Sequence, residues 1–319
     1  MSPPITILMA SYNGARYLPA QLDSILAQNW HDWRLLVSDD GSTDGTAEIL
    51  AYYADGPARD RLQVIRGPGK GATANFLHLL TQAEPNAPIA FADQDDFWQA
   101  DKLARAMDWL ARQDGPAIYA ARTTICDQDL NPLNPAPHFP GPFSFRNALV
   151  QACLPGNTTV ANPQALVFLQ AAAPAAIRHD IVAHDWWVYQ LMSGIGATLR
   201  RDAAQVLLYR QHPRNVMGRN DTTAARAARF GMLFDGSFAG WLARNQAALE
   251  ETDHLLTPAN RKLLGQFGAL LQMPGPAAFR QARKMRLYRQ SRSGTAAILL
   301  AALAGRLRPK AKPDIGAPI

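Results

Sequence analysis

The sequence predicts an α/β fold: a Rossmann-like, mainly parallel sheet with helices on both faces, followed by a C-terminal helical extension. Three observations carry this expectation. Short β-rich apolar runs alternate with helix-period segments through the first 115 residues. Polar clusters fall at the ends of the predicted strands, where sheets of this kind bind ligands. From about residue 220 onward only helix-period segments occur.

Taken in order, ITILM reads as the first strand, and Leu18, Leu22, Ile25 and Leu26 share one face of the helix that follows. WRLLVS and TAEILAYYA repeat the strand and helix. LQVI, a helix over 73–82, IAFA and a helix from about Lys102 to Gln113 continue the rhythm. After about residue 115 the pattern loosens into the Pro- and Asn-rich stretch CDQDLNPLNPAPHFPGP, read as a variable connection. Regularity returns at NTTVAN, at a helix from about Asp185 to Met192, and at ATLRR and QVLLYR. No internal repeat at solenoid periods is present. The expected division is a body over 1–218, in two halves meeting at about 115, and a helical region over 219–319.

Composition bounds the function. A chain of 319 residues with 48% hydrophobic and 18% charged residues can bury a full core, which excludes disorder throughout. Two cysteines, Cys126 and Cys153, exclude a disulfide scaffold and a CxxC zinc site. No apolar run reaches the roughly 20 residues of a membrane span, and the start lacks a basic segment leading into a long apolar one. The expectation is a cytoplasmic protein. Residues 280–319 hold ten Lys and Arg against Asp314 alone, whereas the rest of the chain holds 22 basic and 25 acidic residues. The excess positive charge therefore sits in the tail, where AAILLAALAG lies between basic residues. That pattern predicts peripheral attachment to the cytoplasmic membrane surface, or else a helix packed on the body with a frayed basic end. No nucleic-acid partner is expected, and oligomeric state is not legible.

The chemistry is concentrated in FADQDDFW, residues 91–98, with three carboxylates in four positions. In an extended segment Asp93 and Asp95 point the same way and Gln94 the opposite way, so two carboxylates converge on one ligand. Mg²⁺ takes one or two protein carboxylates and fills its remaining positions with water and phosphate oxygens, so a diphosphate-bearing substrate would complete the site. An acidic turn before the next helix is the plainer alternative. A second cluster, VSDDGSTDGT, ends another strand. Its Asp40 suits an N–H donor such as the imide of a uracil or thymine ring, and Tyr12 at the neighbouring strand end suits stacking on the base.

The ordered set TILMASYNGARYLPAQLDSILAQNWHDWRLLVSDDGSTDGT, FADQDDFWQADKL, HDWWVYQL and YRQH resembles a family 2 glycosyltransferase of the GT-A fold, in its bacterial rhamnosyltransferase-like branch. The resemblance covers about residues 5–218. It implies an inverting, metal-dependent transferase that moves a sugar from a nucleotide-diphosphate donor, dTDP-rhamnose or a UDP-sugar, to a saccharide or lipid-linked acceptor during surface polysaccharide biosynthesis, with the half to about residue 115 binding the nucleotide and the half from 116 the acceptor. It also implies Mg²⁺ or Mn²⁺ on a DxD pair, with Asp95 the principal ligand, Asp93 nearer the ribose, and His212 reaching the metal or the diphosphate. The nucleotide would contact Ala10, Tyr12, Asn13, Asp40, Lys70 and Asp93. Gly156, Asn157, His184, Trp186 and Trp187 would form the acceptor side. Asp185 falls where the family carries its catalytic base, with His184 in place of the commoner Glu before it. A single base suffices because the leaving group is a diphosphate. The competing classes are a sugar nucleotidyltransferase, which would want a Gly-rich triphosphate loop that SYNGARY does not provide, and a non-catalytic nucleotide-sugar or membrane-binding module.

Overall fold

The computed structural model describes residues 3–212, 231–233 and 235–309. Its first 93 residues form three strand and helix repeats and a closing strand: β1 (Ile5–Ser11), α1 (Leu18–Leu26), β2 (Trp33–Asp39), α2 (Thr46–Asp55), β3 (Leu62–Arg66), α3 (Ala72–Gln82) and β4 (Ile89–Asp93). These strands lie parallel in the order β3-β2-β1-β4. Their carboxyl ends therefore open on one edge, as a doubly wound sheet requires. The two-residue β5 (Phe97–Trp98) and α4 (Lys102–Leu110) complete this half.

Beyond β4 the sheet becomes mixed. β8 (Val160–Ala161) runs antiparallel between β4 and β6 (Ala117–Cys126), β6 is parallel to β9 (Thr198–Arg210), and β5 closes antiparallel on β9. The short β7 (Pro132–Pro135) pairs with β6 inside the stretch read as a connection.

Two apolar cores lie on opposite faces of this sheet. On β1, Ile5, Ile7 and Met9 pack with Leu18, Leu22 and Ile25 of α1 and Leu103, Ala106 and Leu110 of α4. Leu8 of β1 faces the other way, joining Phe76 and Leu80 of α3, Leu166 and Leu169 of α6 (Pro163–Arg178), and Trp187 and Leu191 of α7 (His184–Ile195). Each fully buried Leu or Ile contributes roughly 1.5–3 kcal/mol, so this period-2 alternation holds the register of β1.

The C-terminal helices belong to the second core. α8 (Ser237–Glu251), α9 (Pro258–Gln272), α10 (Gly275–Lys284) and α11 (Arg292–Leu303) contribute Leu242, Leu249, Leu264, Phe267, Ala282, Ile298 and Ala301 to the cluster that also holds α6 and α7. The helical extension is thus continuous with the body in packing. Its expected boundary near 218 lies outside the described residues, as do Lys310, Lys312 and Asp314. Among the described residues no helix is long and apolar enough to cross a membrane.

Three elements were not expected. β6 is a ten-residue strand, AIYAARTTIC, with eight of its positions filled by small or β-branched side chains, seven of them buried. Its alanines have weak strand preference, and burial between β8 and β9 overrides it. α6 carries Pro174 in its interior, and its start is set by Asn162, whose Oδ1 accepts from Ala165 N–H at 3.0 Å. ATLRR and QVLLYR form one continuous strand, β9.

Candidate active site

The site is built at the carboxyl ends of β1, β2 and β4, starting with two loops that lock together. Asn13, at φ 47°, donates its N–H to Ser42 Oγ at 2.8 Å and accepts from Thr43 N–H on Oδ1 at 2.8 Å. Gly14 N–H donates to Thr46 Oγ1 at 2.9 Å. Asp39 accepts from Ser42 N–H at 3.0 Å and from Ser42 Oγ, closing its own turn. Tyr12 stands above this scaffold with 56% of its surface exposed, leaving a ring free to stack.

Asp40 has a role not anticipated from sequence. Gly69 N–H donates to its Oδ1 and Gly71 N–H to its Oδ2, each at 2.7 Å. The carboxylate therefore tethers the GPGKG loop, with exposed Lys70 between the two donors. Each oxygen keeps a second lone pair, so an imide N–H remains a chemically acceptable further partner.

The register Ala10↔Asp93 sets the end of β4 beside β1. From there Gln94 turns toward the first loop. Its Oε1 accepts from Ser11 Oγ at 2.9 Å and Tyr12 N–H at 3.0 Å, while its Nε2 donates to Tyr12 O at 2.9 Å. A Cβ on Gly14 would stand 2.1 Å from Gln94 Oε1, so only glycine admits this clamp. Asp95 Oδ2 meets His212 Nε2 at 2.7 Å. His212 stacks on Tyr17 with centroids 4.8 Å apart, and the Arg210 guanidinium lies 4.6 Å from the same ring while its Nε donates to Asp95 O at 2.8 Å. The histidine expected to join the metal pair is thus held on Asp95, and Tyr17 and Arg210, unremarked in the sequence, hold it there.

Charge in this loop is poorly offset. Burial, then the Asp95 and Asp185 charges, push the Asp93 carboxyl up to about 7. Asp96 is fully buried, and burial with the Asp93 and Asp95 charges raises its carboxyl as well. Lys102 is the buried cation among them, drawn down to about 7 by burial although Asp96 and Asp93 oppose that shift. Its Nζ lies 3.3 Å from the Trp98 ring centroid.

These residues suit a divalent cation. Two hard carboxylates and an imidazole are donors that Mg²⁺ and Mn²⁺ accept, and the uncompensated carboxylates are what a cation would relieve. Among the described residues no group of three or more His, Cys, Asp or Glu side chains forms a cation cage by itself. Oxygens of a bound diphosphate would have to complete the coordination.

Asp185 reaches the same place from α7. It lies in the first turn, with Oδ1 accepting from Trp186 N–H at 2.7 Å and Oδ2 3.4 Å from Gly156 N. A Cβ on Gly156 would stand 2.7 Å from His184 Nε2 and 3.1 Å from Asp185 Cβ, so the small residue there lets the helix start approach. His184 stacks on Phe76 at 4.0 Å. Burial pulls its imidazole down to about 4, against the Asp185 charge, so it is neutral at pH 7.

Three residues expected on the acceptor side are placed otherwise. Trp186 is 5% exposed, donates Nε1–H to Ala148 O at 2.7 Å and stacks on Phe238, while Trp187 is fully buried. Both are core side chains and offer no ring to a sugar, because helix periodicity turns them inward beside Asp185. Asn157 is buried and donates its Nδ2 to Asp96 Oδ2 at 2.7 Å, inside the protein.

The family model described as glycosyl transferase family 2 matches residues 6–173, more than half of the chain and the strand-end site apart from His184, Asp185, Arg210 and His212. The chain belongs to that family. It is a glycosyltransferase, and the rhamnosyltransferase-like resemblance is upheld by 29% identity over 232 residues to a dTDP-rhamnosyl transferase, RfbG, of Shigella flexneri, covering 70% of this chain and 78% of the relative. A second relative, the UDP-Glc:alpha-D-GlcNAc-diphosphoundecaprenol beta-1,3-glucosyltransferase WfgD of Escherichia coli, is 28% identical over 115 residues, 36% of this chain and 44% of its own. Among solved structures, residues 1–349 of S. aureus TarS in complex with UDP-GlcNAc match with a TM-score of 0.50 at 15% identity over 88% of this chain and 90% of that one. The mannosyltransferase PcManGT of Pyrobaculum calidifontis, in complex with GDP-Man and Mn²⁺, matches at 0.50 and 17% identity over 96% and 88%. Both likenesses concern the fold, which is GT-A.

Proposed function

We propose that this glycosyltransferase is metal-dependent and inverting, taking a sugar from a dTDP- or UDP-linked donor to a saccharide or lipid-linked acceptor in bacterial surface polysaccharide assembly. The observation that carries the reading is the convergence of Asp185, from α7, on the Asp93–Asp95 loop: its Oδ2 lies 3.4 Å from Gly156 N, and the next residue, Asn157, donates to Asp96 Oδ2 at 2.7 Å. The sugar-to-phosphate bond would then lie between a base and the diphosphate site.

Tyr12 supplies a stacking face for the base, and Asp40 an acceptor for its imide N–H. Asp93, Asp95 and His212 would hold Mg²⁺ or Mn²⁺, which supplies neutralising charge for the departing diphosphate. Asp185 takes the proton of the acceptor hydroxyl as its oxygen bonds to the anomeric carbon. The bond from that carbon to the phosphate oxygen breaks on the opposite side, and its electron pair leaves with the nucleoside diphosphate. The choice between dTDP-rhamnose and a UDP-sugar is supported on one side by the RfbG relative and on the other by WfgD.

Turnover of dTDP-rhamnose and UDP-glucose, followed as nucleoside diphosphate release with Mn²⁺ present, tests the assignment. Asp185→Ala should lower the rate by roughly 10² to 10⁴ while Mn²⁺-dependent nucleotide binding persists. A rate near wild type in that variant removes Asp185 from the mechanism.

The basic helices support attachment to an anionic membrane surface. α11 buries Ala297, Ile298, Ala301 and Ala302 against the body but leaves Leu300 and Leu303 exposed, with exposed Arg283, Lys284, Arg286, Arg292, Arg306 and Arg308 nearby in sequence. Removing residues 280–319 would strip part of the core, so surface substitutions are the cleaner test. Leu300→Ser with Arg283→Glu and Lys284→Glu should release the full chain from phosphatidylglycerol vesicles, and retention would refute the attachment.

A further inference from the structure

The buried pair Asp96 and Lys102 is unused by the mechanism above, although burying two such groups is costly unless their interactions are specific. Asp96 has no exposed surface, and Lys102 has none either. Asp96 Oδ2 accepts from Asn157 Nδ2 at 2.7 Å, and the carboxylate also takes the backbone N–H of Arg210. Asp96 Oδ1 and Lys102 Nζ have no hydrogen-bond partner among the described residues, and Lys102 rests on the face of Trp98 at 3.3 Å. One buried carboxylate is therefore bonded to two different elements at once.

Those two elements carry the two halves of the site. Asn157 lies in the 3-10 turn over Gly156–Thr158, and Gly156 of that turn is the seat on which His184 and Asp185 approach. Arg210 ends β9, donates Nε to Asp95 O, and precedes His212 on Asp95 by two residues. Asp96 itself follows Asp95 directly. A shift at Asp96 therefore moves the donor-side carboxylates and the seat of Asp185 relative to each other.

We propose that Asp96 is the buried joint of the site, with Asn157 as its hydrogen-bond donor, setting the spacing between the Asp93–Asp95 loop and Asp185. Asp96 and Asn157 are then positioning residues that touch neither donor nor acceptor. The inference rests on the reading of Asp185 as base and Asp93–Asp95 as the diphosphate side. It also explains why Asn157 is turned away from the acceptor.

The test uses the full chain and the donor that wild type turns over, dTDP-rhamnose or UDP-glucose, with calorimetric binding of dTDP or UDP and Mn²⁺ measured beside it. Asn157→Ala should lower kcat about 30-fold or more while the nucleotide Kd, with and without Mn²⁺, stays within about threefold of wild type. The exchange Asp96→Asn with Asn157→Asp keeps a donor and an acceptor facing each other in reversed order, so it should recover most of the kcat lost in either single variant. A kcat within threefold of wild type in Asn157→Ala overturns the joint, as does an equal loss of kcat and nucleotide affinity with no recovery in the exchange. Thermal melting of each variant separates misfolding from misplacement, and Asn157→Ser serves if Asn157→Ala melts early. Asp185→Ala runs as the control: activity there defeats the base assignment, whereas inactivity there with a normal Asn157→Ala defeats only the joint.

Discussion

The two acidic clusters at the sheet edge look alike in sequence and are opposites in physics. Asp39 and Asp40 are satisfied: Ser42 donates to one, and Gly69 and Gly71 donate to the other. Their charge is spread over backbone and hydroxyl donors that the turns already present, so the cluster is stable as it stands. Asp93, Asp95 and Asp96 have few donors, sit in mutual repulsion, and face a single buried lysine. On the proposed reading a positive ligand relieves that repulsion, which is how a cation site would differ physically from a structural staple.

The largest effect that would sharpen this contrast is on stability. Asp40→Ala removes two charge-assisted hydrogen bonds and leaves two loop N–H groups without their acceptor, so a loss of about 2 kcal/mol or more is expected in denaturant titration. Asp95→Ala removes a repulsive partner of Asp93 and should cost less. An Asp95 variant less stable than the Asp40 variant would reverse the comparison.

The next effect is on pH. With the Asp93 carboxyl up at about 7, a proton competes with the cation below that value. Mn²⁺-dependent nucleotide affinity should fall about tenfold from pH 8 to pH 6, one proton being taken up as the cation leaves. A flat profile over that range means Asp93 is ionised throughout and burdened by nothing a cation relieves.

The smallest effect concerns His184. Its folded value of about 4 lies below the ordinary 6.5, so as pH falls the unfolded chain takes the proton first. Stability is therefore fully present above about 6.5 and is lost progressively toward 4. His184→Leu should melt with a shallower decline over that window than wild type, measured by thermal unfolding at fixed ionic strength.

How much of this was legible depends on range. The first half could be read because β1, α1, β2 and α2 are neighbours in sequence and in space, and their periods are unambiguous. β6 was not, since Ala-rich segments become strands only when long-range pairing with β8 and β9 buries them. The DxD pair and Asp185 could be named, but not that Asp96 is buried or that Trp186 and Trp187 face inward, because burial is decided by elements distant in sequence, such as Asn157 for Asp96 and Ala148 and Phe238 for Trp186. The clamp of Gln94 on Tyr12 was half visible: alternation pointed the side chain away from Asp93 and Asp95 but could not say onto what. Tyr17 and Arg210 lie within the quoted runs SYNGARY and YRQH with no role of their own legible there, and only stacking in three dimensions gives them one.

The most direct test of the central claim is calorimetric titration of UDP and dTDP, with and without Mn²⁺, into wild type and Asp95→Ala. The cation-site account predicts nucleotide binding strengthened by Mn²⁺ in wild type and not in Asp95→Ala, with the metal-free affinity similar in both. Equal Mn²⁺ enhancement in the two proteins, or none in wild type, would contradict it.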